Sequence, residues 1–214
     1  MRYPTILLAL LLALTTSGCV LGRRTISLSV ASANSYPAKK GTVHLASVTD
    51  ARVFQNKPDE PSTPSIDGDV NTLTKEQKAS MIGRQRNGYG RAMGDIALAP
   101  GESVPKIVRE LVAEGFKRRG YEASNSSGSS NSANVTIDEC WAWFSPGVWS
   151  LGFDAEVRCT LTLRRDGHSS RIVVQGHGYN GGQVASDTNW RQAYERAFED
   201  FLEKFEKEAA SAGF

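Results

Sequence analysis

The histidines are few: His44 on a predicted strand, His168 in a predicted turn and His177 near a strand end. None stands at metal-ligand spacing from Cys, Asp or Glu, so no metal and no cofactor are expected. No Gly-x-Ser-x-Gly elbow occurs. Gly88, Gly90 and Gly94 have the wrong spacing for a dinucleotide fingerprint. Asp138 and Glu139 come nearest to paired acids. As neighbours on one strand they are expected on opposite faces, unable to share a substrate. No catalytic residue is therefore expected. Trp141, Trp143, Phe144 and Trp149 surround one predicted hairpin tip. Two readings stay open for them: an exposed tip that docks a protein, a glycan or a lipid surface, or rings that cover the end of the sheet.

Cys140 and Cys159 fall on neighbouring predicted strands, and a disulfide between them is one of two open readings. Direct pairing sets Trp141 opposite Arg158 and Trp143 opposite Glu156. Slipping by one residue pairs Trp141 with Val157, Ile137 with Leu161 and Val135 with Leu163. That register matches the apolar faces but puts the two Cys on opposite sides. A bulge would reconcile the two demands.

Cys19 sits in different company. Met1 and Arg2 give a positive start, and residues 5–14 read TILLALLLAL. This run is too short for a bilayer-spanning helix of about 20 residues and suits the apolar region of a secretory signal. Thr15-Thr16-Ser17-Gly18-Cys19 follows. Small residues before a Cys at this place resemble the lipobox of bacterial lipoproteins. The resemblance implies cleavage of residues 1–18, a diacylglycerol on the Cys19 thiol and an acylated amino group. It also implies anchoring by lipid alone, since several acyl chains hold almost irreversibly. Val20, where an Asp would retain an enterobacterial lipoprotein in the inner membrane, implies an outer-membrane address facing the periplasm.

Residues 19–40 carry Ser, Asn, Pro and Lys with little periodicity and are expected to be a flexible tether. A single domain is expected over 41–210. Of the chain's 214 residues, 40% are hydrophobic, enough for a core. Lys plus Arg number 25 against 23 Asp plus Glu, too even a balance for a nucleic-acid protein held by a basic face. Residues 43–48 alternate as a strand, 55–72 read as a surface loop, Thr74 and Gln77 suggest a capping box, and 83–94 read as a glycine-rich loop with a short strand around Ile96.

A clear helix starts after Ser103, with Pro105 in its first turn. It carries Val104, Ile107, Val108, Leu111, Val112 and Phe116 on one face and ends at Gly120. Strands follow over 134–144, 150–165 and 171–179, with Asp166-Gly167 as a hairpin turn. A last helix from about Thr188 buries Trp190, Tyr194, Phe198, Phe201 and Phe205. The expected fold is α+β: an antiparallel sheet of about four strands with two long helices on one face.

Val48-Thr49-Asp50-Ala51-Arg52, Ile82-Gly83, Arg86-Asn87-Gly88-Tyr89-Gly90 and a helix ending at Arg119-Gly120-Tyr121 precede an antiparallel meander and a closing helix. In this order they resemble the YajG family of uncharacterised bacterial lipoproteins, over most of residues 41–208. That family supplies no catalytic residue to carry over. Asp50 with Arg52, and the Arg86-Asn87-Gly88 loop, are the candidates for a shared surface. The alternative for Asp50 and Arg52 is a local turn with a surface ion pair worth little.

The leading expectation is a non-catalytic, lipid-anchored envelope lipoprotein that binds a protein partner. The others are an auxiliary lipoprotein of an ABC-type transport system handling a hydrophobic ligand, and a peptidoglycan-binding module using the Trp cluster.

Overall fold

A computed structural model describes residues 22–86, 91–127, 129–146 and 151–214. Its strands are β1 (Arg24–Ile26), β2 (Gly41–Asp50), β3 (Met81–Arg86), β4 (Ala92–Leu98), β5 (Tyr121–Ser124), β6 (Ser132–Pro146), β7 (Leu151–Arg165) and β8 (His168–Gly182). Its helices are α1 (Lys75–Ser80), α2 (Val104–Arg118) and α3 (Asp187–Ser211), with a 3-10 turn at Val70–Thr72. No helix among the described residues is long and apolar enough to cross a membrane.

The four-stranded antiparallel sheet expected from the sequence is overturned. The strands form one eight-stranded mixed sheet. The long strand β6 organises it. On one edge β6 pairs antiparallel with β7, which pairs antiparallel with β8. On its other edge two strands lie end to end, both parallel to β6. Strand β2 runs beside its first half and β3 meets its second half at Ala142 and Trp143. Strand β5 extends the sheet beyond β2, and β4 and then β1 extend it beyond β3.

The meander was predictable because Asp166 (φ 50°) and Gly167 (φ 83°) make a local, left-handed hairpin turn. The parallel pairs join segments far apart in sequence and leave no such mark. Strand β3 is buried through Met81, Ile82, Gly83 and Arg84, so it shows no alternation.

Helices α2 and α3 share one core with the inner face of the sheet. Gly115 lets them touch: a Cβ there would lie 2.6 Å from the Phe205 ring. Phe116 and Phe205 then meet edge to face at 5.0 Å. Gly176 and Gly178 bring α3 down onto β8, where a Cβ would lie 2.2 Å from Ala197 O and 2.1 Å from Ala193 O. The outer face of the sheet carries a second, smaller core, in which Ile66, Val70, Met81, Ala97 and Trp141 pack with Phe54, Leu73 and Trp143. The segment read as a surface loop is its lid. Arg84 holds it by donating to Ile66 O and pairing with Asp67.

The predicted tether also needs correction. Arg24–Ile26 adds a strand to β4, Ile26 and Leu28 are buried in the main core, and Arg24 donates to Ala185 O at 2.7 Å. The folded unit therefore begins before residue 41.

Candidate functional site

Arg52 was a candidate for a partner surface, but its side chain is fully buried. Strand β2 leaves the ladder after Asp50 pairs with Ile137, and β3 joins it only at Ala142. Between these points the edge of β6 has no strand beside it, and the Arg52 guanidinium takes that place. Its Nη1 donates to Met81 O (2.7 Å) and Cys140 O (2.8 Å), and its Nη2 to Lys78 O (2.8 Å). Nε and Nη2 grip the two Asp50 oxygens at 2.9 and 2.8 Å. Every donor direction of the fork is used, so Arg52 is a clamp in the sheet with nothing left to offer a partner.

A bulge at Asp138 explains the tryptophans. Ile137 pairs with Cys159, but Glu139 pairs with Arg158, so Asp138 is the extra residue. Past it the faces of β6 exchange. Cys140, Ala142 and Phe144 continue the inner face begun by Val135 and Ile137, and Trp141 and Trp143 turn outward. Trp141 is buried in the outer core and its Nε1 donates to Pro61 O at 3.3 Å, so it too is no surface. Trp143 is half-buried. Trp149, Cys19 and the Asn87 to Gly90 stretch lie outside the described residues.

The bulge also corrects the separation of Asp138 and Glu139. Both now face outward: Asp138 accepts from Thr160 Oγ1 at 2.7 Å and Glu139 from Arg158 Nη2 at 2.8 Å. With Trp141, Trp143, Glu156 and Arg158 they line a groove of about 360 Å³ under the lid. Burial raises the Glu156 carboxyl to about 7, helped by its hydrogen bond to Glu139 and the charge there, and opposed by Arg158 and Lys204. Beside the groove, His177 Nε2 bonds Asp154 Oδ1 at 3.0 Å and Ser145 donates to Asp154 Oδ2 at 2.6 Å. The carboxylate stands between serine and imidazole, so this array does not activate the hydroxyl as a nucleophile. Glu156, Arg158, Asp154 and His177 went unread as site residues. The outward places between Ala155, Val157 and Cys159 were the available signal.

Cys140 and Cys159 are both free and buried. The observed register is neither of those expected: Cys140 faces Val157 and Cys159 faces Ile137. The bulge puts both thiols on the inner face but leaves them diagonal, not opposite, and the disulfide does not form. Burial pushes Cys140 up to about 11, against the pull of Arg52, and raises Cys159 as well.

A second concavity lies elsewhere, where the predicted tether crosses α2. Val30, Tyr36, Pro37, Ala113, Tyr121 and Ala123 line a groove of about 550 Å³, mostly apolar. Glu114 builds it. This acid sits within the apolar stripe of α2, and it is buried there. It accepts from Ala33 N (2.9 Å), from Tyr36 Oη (3.1 Å) and from Arg118 Nε (3.3 Å). Those bonds hold residues 33–36 against α2. The rim is charged in both signs: Lys39 bonds Glu122, and Lys117 lies 3.9 Å from the Tyr36 ring centroid. Among the described residues no group of three or more His, Cys, Asp and Glu is placed to hold a metal. An acid inside an apolar helical stripe was the one sequence signal for this groove.

No protein-family model matches the chain, and no curated protein matches it. Among solved structures it is similar to a Xanthomonas campestris protein of family DUF330, at 9% identity and a TM-score of 0.47 over 86% of this chain and 91% of that one. A protein described only as uncharacterized is 11% identical, with a TM-score of 0.37 over 88% and 97% of the two chains. A hypothetical protein of Chlamydia trachomatis is 12% identical, with a TM-score of 0.33 over 78% and 99%.

Proposed function

We propose that the chain is a non-catalytic lipoprotein of the bacterial envelope, lipid-anchored through Cys19 in the outer membrane and facing the periplasm. Its domain binds a protein partner. The leader and the residues before Cys19 support the anchor, and the resemblance to the YajG family supports the class. The observation that carries the binding reading is the apolar groove between residues 30–37, α2 and β5. Its size is that of a small-ligand cleft or a pocket for buried anchor side chains. Its rim favours a polypeptide over an anionic amphiphile. Lys39 pairs with Glu122 and Lys117 lies over the Tyr36 ring, so the rim cations already have neighbours within the molecule, and Glu110 adds a negative charge beside them. A segment with an apolar anchor and mixed charges beside it meets both features.

A photocrosslinking residue at Ala113, expressed in intact cells, tests this. One discrete adduct of protein mass is expected, weakened when Tyr121→Ala removes a groove wall; no adduct overturns partner binding. Mass spectrometry of separated membranes tests the anchor: an acylated Cys19 terminus in the outer membrane is expected, lost in Cys19→Ala. The same apolar floor favours a second reading, an auxiliary lipoprotein of an ABC-type transport system that handles a hydrophobic ligand. Lipid that co-purifies with the parent and is lost with Tyr121→Ala would select that reading.

A further inference from the structure

We propose that the groove beside Trp143 is a saccharide site, in which a sugar ring stacks on the indole and its hydroxyls bind Glu139, Glu156 and Arg158. This groove is on the outer face of the sheet, apart from the apolar groove, and the proposal needs neither the lipid anchor nor a protein partner. Four observations converge on it. The bulge at Asp138 places two consecutive acids on one face, which regular pleating forbids. The Trp143 ring stands half-buried beside them, pinned on one side by His177 at 6.3 Å between ring centroids. Arg158 reaches Glu139 with Nη2, while its Nε, itself cut off from solvent, has no acceptor. Hydroxyl-bearing residues of the lid, Ser62 and Thr63, also line the groove.

The ligand class follows by elimination. The groove holds the carboxylates of Asp138 and Glu139 against Arg158 alone, so phosphates, nucleic acids and carboxylated polymers are repelled. A purely apolar molecule would strip water from these acids and return no hydrogen bonds. A cation meets Arg158 already seated on Glu139. It also meets in Glu156 a carboxyl that holds its proton to about pH 7. A neutral polyol with apolar ring faces meets no such conflict. Its C–H face suits an indole, its hydroxyls donate to carboxylate oxygens and accept from the Arg158 guanidinium, and a protonated Glu156 carboxyl both gives and takes hydrogen bonds.

The test is calorimetric titration of the full mature chain, in a zwitterionic detergent that carries no sugar, with chitotetraose and maltotetraose. Tetralysine is titrated as the cationic probe. Saturable binding of at least one oligosaccharide is expected, with a shift in Trp fluorescence. Trp143→Ala and, as a milder change, Arg158→Gln should each weaken it about tenfold. Melting curves identify a variant that has lost its fold, and Arg158→Gln then carries the comparison. The proposal is overturned if neither oligosaccharide binds at about 1 mM, if a folded Arg158→Gln variant binds like the parent, or if tetralysine binds more tightly than either sugar.

Discussion

Two side chains carry the sharpest predictions. Arg52 satisfies three carbonyls and one carboxylate in a gap of the sheet. Removing one member of a buried ion pair typically costs about 3–5 kcal/mol, because its partner stays behind uncompensated. Arg52→Ala is therefore expected to lower stability by about that amount in urea denaturation. Arg52→Lys is expected to recover little, since an ammonium cannot fork between Asp50 and carbonyls on three sides. Full recovery by lysine would reduce the clamp to simple charge. Glu156 makes the opposite kind of prediction. Its native carboxyl holds a proton up to about pH 7, above the ordinary carboxylate range, so the folded state binds more protons than the unfolded one between those limits. Stability must then fall as pH rises through that window and level off above it. Glu156→Gln keeps the neutral form at every pH. It should melt about 2–4 °C above the parent at pH 8, as about 1 kcal/mol does for a chain of this size, a modest figure because the site is partly wetted. At pH 4 the two should coincide.

At the scale of elements, β8 and α3 make the most contact-sensitive pair. Gly176 and Gly178 are not needed for unusual backbone angles; they are needed because helical backbone lies where a side chain would begin. An alanine in a strand would normally gain from its lower unfolded-state entropy. Gly178→Ala should instead destabilise by about 3 kcal/mol, toward the upper end for overpacking, in equilibrium unfolding, with near-UV circular dichroism reporting altered packing of Trp190. Elements with local causes were legible in the sequence: α2 and α3 from their apolar stripes, α1 from the Thr74–Gln77 capping box, and the β7–β8 hairpin from Asp166-Gly167. Strands β1 and β5 were not, because each owes its state to a partner remote in sequence, and β3 was not, because its continuous burial hides any alternation. The site was half legible. Trp143 and Arg52 were singled out, but their surroundings depend on one unpredictable extra residue. Without the bulge at Asp138 the tryptophans would lie in the main core, and Glu139 would turn inward, away from Glu156 and Arg158.

At the scale of the whole molecule, the question is where the folded unit starts. Composition alone gives residues 19–40 to solvent, yet the structure uses much of that stretch three times. Arg24–Ile26 extends the sheet, Ile26 and Leu28 fill the main core, and Ala33 and Tyr36 donate hydrogen bonds to the buried Glu114. Burying one such aliphatic side chain contributes about 1.5–3 kcal/mol, so Ile26 and Leu28 together rival a good part of the 5–15 kcal/mol that holds a typical domain. Deleting the segment also leaves Glu114 buried with Arg118 as its main partner, and strips one wall from the apolar groove. A chain beginning at Gly41 is thus expected to melt far below one beginning at Gly22, or to stay unfolded. A mere tether would leave the two curves superimposed. Adding residues 22–40 back as a separate peptide sharpens the comparison: saturable recovery of the native melting transition is expected, since a segment that binds only the folded form pulls the equilibrium toward it.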